Sequence, residues 1–228
     1  MTSDDRSRTN ARLETIESLL EDLAHASIVH GHFALLYFHT IGRWRAYSRT
    51  CEQNEALDLL IIRLFDKFND YVLRLPGEST PTSIRPWAGY LHRMSSASPR
   101  WLNRITALAL AVRAHIRFDL AEAICEMHAT YCRRHGVPPD MVQFQRTILD
   151  AGAGLIFLAA WEDFISGLAN HGRFAGAVAM IARPFGRIGL PAFQAMRRRA
   201  MHEALDSLHT ARRIERPLVR LRLGRALV

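Results

Sequence analysis

His115 and Asp119 stand four residues apart in the segment Arg113-Ala114-His115-Ile116-Arg117-Phe118-Asp119-Leu120-Ala121-Glu122. On a helix that spacing puts both side chains on one face, where an imidazole and a carboxylate can hydrogen-bond each other or share an ion or a ligand. Such a pair supports two kinds of chemistry. His115 can act as a general base with Asp119 as its orienting carboxylate, or the two can ligate a metal, with Glu122 as a third ligand one turn further on. The divalent ion expected there is Fe or Zn, held as carboxylates and histidines of facing helices hold metals in helical bundles. Arg113 and Arg117 flank the pair and would favour an anionic or carbonyl-bearing ligand.

Two other clusters invite comparison. Cys125, His128, Cys132 and His135 have the residue types of a zinc site, but one continuous helix spreads them over about 15 Å, too far to close a tetrahedron. A packed, reduced role is expected for them. His32 and His39 lie seven residues apart on an aromatic-rich segment with Tyr37, so His32 and Tyr37 are expected to border the pocket that His115 faces.

These residues require helices to position them, and the chain reads as all-α. Apolar residues recur every three or four positions nearly throughout, with no alternating stretch of strand length. Helices are expected near Leu13–Leu23, His32–Tyr47, Leu57–Leu75 and Trp87–Met94. A long central helix should run from Pro99 to His135, with a kink or break near Glu126, closed by Gly136 and Pro138-Pro139. Further helices follow at Asp140–Asp150 and Leu155–Leu168. The stretch Gly172–Pro191 reads as interrupted, and a last helix spans Ala192–Glu215, ended by Pro217. Gly77–Pro86 is the clearest loop. The expected architecture is a single bundle-like domain, 1–228, with an arginine-rich C-terminal extension over 212–228.

Charge is unevenly placed. Lys67 is the only lysine, and from Arg183 onward eleven arginines stand against three carboxylates, so the chain's whole net charge of +8 falls in its last fifth. That pattern disfavours a uniformly basic nucleic-acid-binding domain. It instead allows Arg197-Arg198-Arg199 and the extension to dock on an anionic membrane surface or an acidic partner. Three cysteines, no apolar signal-like stretch over Met1–Asn10, and an apolar run at Ala151–Trp161 too short to span a bilayer lead to the expectation of a cytoplasmic protein. Homo-oligomerisation is left open. No G-x-G-x-x-G, Walker or G-x-S-x-G pattern is present, which counts against dinucleotide, nucleotide-triphosphate and serine-hydrolase chemistry.

Ala114-His115-Ile116-Arg117-Phe118-Asp119-Leu120 resembles the N-A-H-I-N-x-D-L helix of an uncharacterised bacterial family, a domain of unknown function. Phe33–Tyr37 is similar to that family's early F-N-x-L-Y helix, Leu64–Tyr71 to its second aromatic helix, and Pro86-Trp87 falls where the family often has a tryptophan. The chain departs from the pattern where Arg113, Arg117 and Ala34 replace asparagines. The resemblance implies a helical fold and singles out His115 and Asp119.

The expected function is a small-molecule enzyme of bacterial metabolism, metal-assisted or built as a cofactor-free cyclase or isomerase pocket with aromatic walls. The alternative is a non-enzymatic helical module that docks through its arginine-rich C-terminus, with His115 and Asp119 as a structural hydrogen bond.

Overall fold

The computed structural model describes residues 3–26, 30–74, 85–95, 101–169 and 173–225, with side chains described at all of these except 3, 85, 95, 101–104, 151–152, 169, 173–182 and 212–225. Helices account for nearly all of them, and no strand occurs among the described residues. The elements are α1 (Ser3–Ala26), α2 (Gly31–Ser48), α3 (Asn54–Phe68), α4 (Arg85–Ser95), α5 (Trp101–Ala114), α6 (Leu120–His135), α7 (Met141–Leu149), α8 (Ala151–Ala169) and α9 (Arg173–Arg225). The all-α expectation holds. The proposed loop centre at 77–84 and the Ser98-Pro99 helix start lie outside the described residues, as do the side chains of the arginine-rich extension.

The apolar residues gather into two core clusters. One joins α1, α2, the second half of α3, α4, α5 and α8 through side chains such as Ile16, Phe33, Phe65, Trp87, Ala111 and Phe164. The other joins the first half of α3, α6, α7 and α9 through Leu57, Leu60, Ile124, Met127, Phe144 and Met201. Burying each large side chain contributes about 1.5–3 kcal/mol, which holds these short-looped helices together. Two elements cross from one cluster to the other. Helix α3 does so with Leu57 to Leu60 in one core and Ile61 to Phe68 in the other.

The central helix crosses the same seam, and there it changes geometry. Between α5 and α6 the residues His115–Asp119 form a π-helical turn in which the Leu120 amide donates to the His115 carbonyl, five residues back. The break lies here rather than near Glu126, and the helix pattern explains why. Ala107, Ala111 and Ala114 are buried at regular helical intervals, so Phe118 should follow them inward, yet Phe118 is 41% exposed and Asp119 is 2% exposed. One extra residue in the wide turn slips the stripe, so that Leu120, Ala123, Ile124 and Met127 continue the core. A second π turn, Asn69–Leu73, extends α3.

Helix α6 ends as its sequence predicts: Gly136 takes a left-handed φ of 71° and its amide donates to the Cys132 carbonyl at 2.8 Å. Asp140 caps α7 by accepting from the Val142 and Gln143 amides, both at 3.0 Å. The expectation of an interrupted Gly172–Pro191 segment and a stop at Pro217 is corrected, because α9 runs unbroken through all three prolines. Pro184 and Pro191 both face solvent, and so does Arg187, whose carbonyl loses its helical partner to Pro191. Water can satisfy a carbonyl released on that side, which lowers the cost of proline inside a helix. No helix among the described residues is long and apolar enough to cross a membrane.

Candidate functional site

The π turn fixes the His115 and Asp119 side chains in the seam, 4% and 2% exposed. The His115 Nδ1 lies 3.2 Å from an Asp119 carboxylate oxygen. The Trp87 indole N–H of α4 donates to the same carboxylate, at 3.1 Å and 3.3 Å to its two oxygens. A carboxylate taken out of water must be hydrogen-bonded to remain charged, and these two groups do that. Burial pushes the Asp119 carboxyl up from its ordinary value, while the His115 and Trp87 bonds pull it back toward the ionised form.

With Nδ1 turned to Asp119, the other ring nitrogen of His115 is left over. Nε2 is buried and has no hydrogen-bond partner among the described residues. An aromatic cage surrounds the ring, with Tyr37 edge-on at 4.7 Å between centroids, Phe33 at 5.8 Å and Trp87 at 6.1 Å. The Tyr37 hydroxyl is likewise buried without a partner. Burial first, then the Asp119 and Asp66 charges, push the Tyr37 phenol well above its ordinary value, so it stays protonated and can donate.

Both groups line a cavity of about 90 Å³ set between the two cores. Its walls are apolar and aromatic, contributed by α2, α3, the end of α5, the π turn, the start of α6, the end of α7, and Phe157 and Phe193 of α8 and α9; Leu36, Ile61, Val112 and Ile148 are representative. The lining residues with polar side-chain atoms are few: Tyr37, Thr40, Trp44, His115 and Arg197. Apolar walls with a few polar groups are the composition of a small-molecule site, here at a volume suited to a ligand of only a few heavy atoms.

Arg197 is the residue that the reading of the sequence placed elsewhere. It belongs to the Arg197-Arg198-Arg199 triplet, expected to face a membrane or partner, but only Arg198 and Arg199 are exposed. Arg197 is 3% exposed, and its guanidinium lies over the Phe193 ring at 5.4 Å. Phe193 in turn stacks on Phe157 at 4.1 Å between centroids. Two Arg197 nitrogens, Nε and Nη1, have no hydrogen-bond partner among the described residues. Burial and the neighbouring Arg198 push its pKa down to about 10, with Tyr47 acting in the opposite direction, so it remains a cation at neutral pH. The available signal was periodicity, since Phe193, Arg197, Ala200, Met201 and Ala204 share one buried face of α9.

The remaining expected site residues fall outside the cavity. Arg113 is exposed. Arg117 is clamped by both oxygens of Glu203, each at 2.6 Å, and so ties the π turn to α9. His32 is half-buried on α2 and does not line the cavity. His39 lies against Gly167 of α8. Glu122, the expected third metal ligand, is instead held by Lys67 at 2.8 Å and by the Tyr71 hydroxyl at 3.1 Å. No three His, Cys, Asp or Glu side chains gather to hold a metal ion among the described residues. The Fe or Zn expectation therefore rests on His115 and Asp119 alone, and Asp119 is already engaged by Trp87. The Cys and His set disperses as expected: Cys125 meets the Ala204 carbonyl, Cys132 meets His128, and His135 meets Glu55.

Set against known protein families, curated proteins and solved structures, the chain matches none of them.

Proposed function

We propose that this protein is a small-molecule enzyme whose substrate occupies the seam cavity and exchanges a proton with His115. The observation that carries the reading is the buried His115 Nε2, left without a partner in the cavity wall while Nδ1 is anchored on Asp119. An imidazole oriented in this way has its lone pair on Nε2 and serves as a general base. Tyr37, its hydroxyl protonated and unpartnered, donates a hydrogen bond to the substrate oxygen on which negative charge builds. His115 then returns the proton to a second atom of the same molecule. The cycle is an isomerisation, balanced without a co-reactant, and it needs no metal ligand beyond the pair. Asp119 is a positioning residue that holds the tautomer and stabilises the imidazolium formed in passing. The three free cysteines fit a reducing, cytoplasmic setting.

Butan-1-ol, short enough for a cavity of about 90 Å³, tests it as a neutral, apolar probe with one oxygen. With 15N-histidine-labelled protein, the expected result is a saturable shift of the His115 Nε2 resonance, lost when Val112→Phe fills the cavity. A non-saturating response, or one equal in the filled variant, contradicts the reading.

A further inference from the structure

The proposed function leaves one charged group in the cavity wall unused. Arg197 is 3% exposed, on an aromatic stack, with Nε and Nη1 both unpartnered. A buried ion is normally matched by an opposite charge, because an uncompensated one carries a large desolvation cost. Among the described residues no carboxylate ion-pairs with Arg197, although Arg117, Arg199 and Arg183 all find glutamates. The neighbouring Arg198 is a like charge and unfavourable, and the Tyr47 phenol, raised by burial, is neutral. A ligand in the cavity can supply the matching anion.

We propose that the substrate of the seam cavity is an apolar carboxylic acid whose carboxylate pairs with Arg197. This rests on the cavity reading above and specifies the substrate class. The guanidinium suits a carboxylate in charge and in planar geometry. The walls between Arg197 and the His115 and Tyr37 end are hydrocarbon and aromatic, so the body of the acid is apolar. The carboxylate fixes the molecule at the α9 end, and the reacting carbon and oxygen atoms sit at the π turn. Arg197 thus sets specificity and orientation, while His115 and Tyr37 act on the substrate.

Butanoate and butan-1-ol, short enough for the cavity, titrated calorimetrically against wild type, Arg197→Gln and Arg197→Met, separate the two readings. Butanoate is expected to bind wild type about ten- to a hundredfold more tightly than butan-1-ol, the range of a hydrogen-bonded charge pair. In Arg197→Gln that advantage disappears while butan-1-ol binding is unchanged. Ligand-free Arg197→Met is expected to melt at or above wild type, because it removes a buried cation without a carboxylate partner. Equal binding of the two probes to wild type, retention of the butanoate advantage in Arg197→Gln, or a lower melting temperature for Arg197→Met overturns the carboxylate proposal and leaves the cavity reading standing. Failure of both probes to bind saturably overturns the cavity reading itself.

Discussion

Asp119 accepts from two directions at once, from the His115 ring on its own turn and from the Trp87 indole on α4. The carboxylate is worth keeping charged only while both donors are present. Trp87→Phe keeps an aromatic ring but removes the N–H and part of a fully buried bicycle, so it is expected to cost about 1.5–3 kcal/mol for the hydrogen bond to a charged group with a cavity cost added, measured by chemical denaturation. Asp119→Asn has a different signature. An amide can still accept from Trp87, but it no longer favours an imidazolium or one imidazole tautomer, so the proton of His115 is expected to redistribute between its nitrogens in the 15N spectrum. The His115 and Asp119 pairing was legible because a four-residue offset survives the change from α to π geometry. Trp87 was marked only by a resemblance, since no spacing rule connects residues 32 positions apart. Arg197 was misplaced because a triplet of arginines reads as a solvated face until the buried stripe of Phe193, Ala200 and Ala204 on either side is taken into account.

At the scale of elements, the π turn and the contact between α8 and α9 carry the site. Deleting the exposed Phe118 removes the extra residue and lets α5 run into α6 as one α-helix. The protein is expected to fold, with Asp119 taking the inward position that follows Ala107, Ala111 and Ala114, now three residues from His115, and the change in their pairing appears as an altered His115 resonance. No cap residue or proline marks this turn, and only the slipping of the apolar stripe past Phe118 reveals it.

Helices α8 and α9 approach closely at Gly186, where an added Cβ would lie 2.4 Å from the Trp161 ring. Gly186→Ala is therefore expected to destabilise by about 1–3 kcal/mol through overpacking. Gly189, three residues along the same helix, has open space around it. Gly189→Ala is expected to stabilise by about 0.5–1 kcal/mol, the helix-propensity difference. The two variants measured side by side by thermal denaturation check whether α9 is helical through Pro184 and Pro191, which the sequence read as breakers.

For the whole molecule, two cores sharing α3 and the central helix explain why one cavity lies between them, since neither cluster alone fills the seam. Titration reports on the first core. Burial lowers the pKa of His30, which hydrogen-bonds the Tyr90 hydroxyl at 2.7 Å, and of His39, where the Asp163 charge opposes the effect and Arg43 adds to it. Both histidines take up protons more readily in the unfolded chain. Their contribution is complete above pH 6.5, the ordinary value, and is lost as pH falls through the depressed folded values. Melting temperatures are expected to drop between pH 7.5 and 5, and to drop less in the His30→Gln, His39→Gln double variant.

The arrangement of His115 is the claim on which the rest depends, and its tautomer can be read directly. In a long-range 15N–1H spectrum of the ligand-free protein, His115 is expected to carry its proton on Nδ1 and to show a bare Nε2 that shifts when butanoate is added. A proton resident on Nε2, or a resonance that butanoate leaves unmoved, would contradict the general-base role.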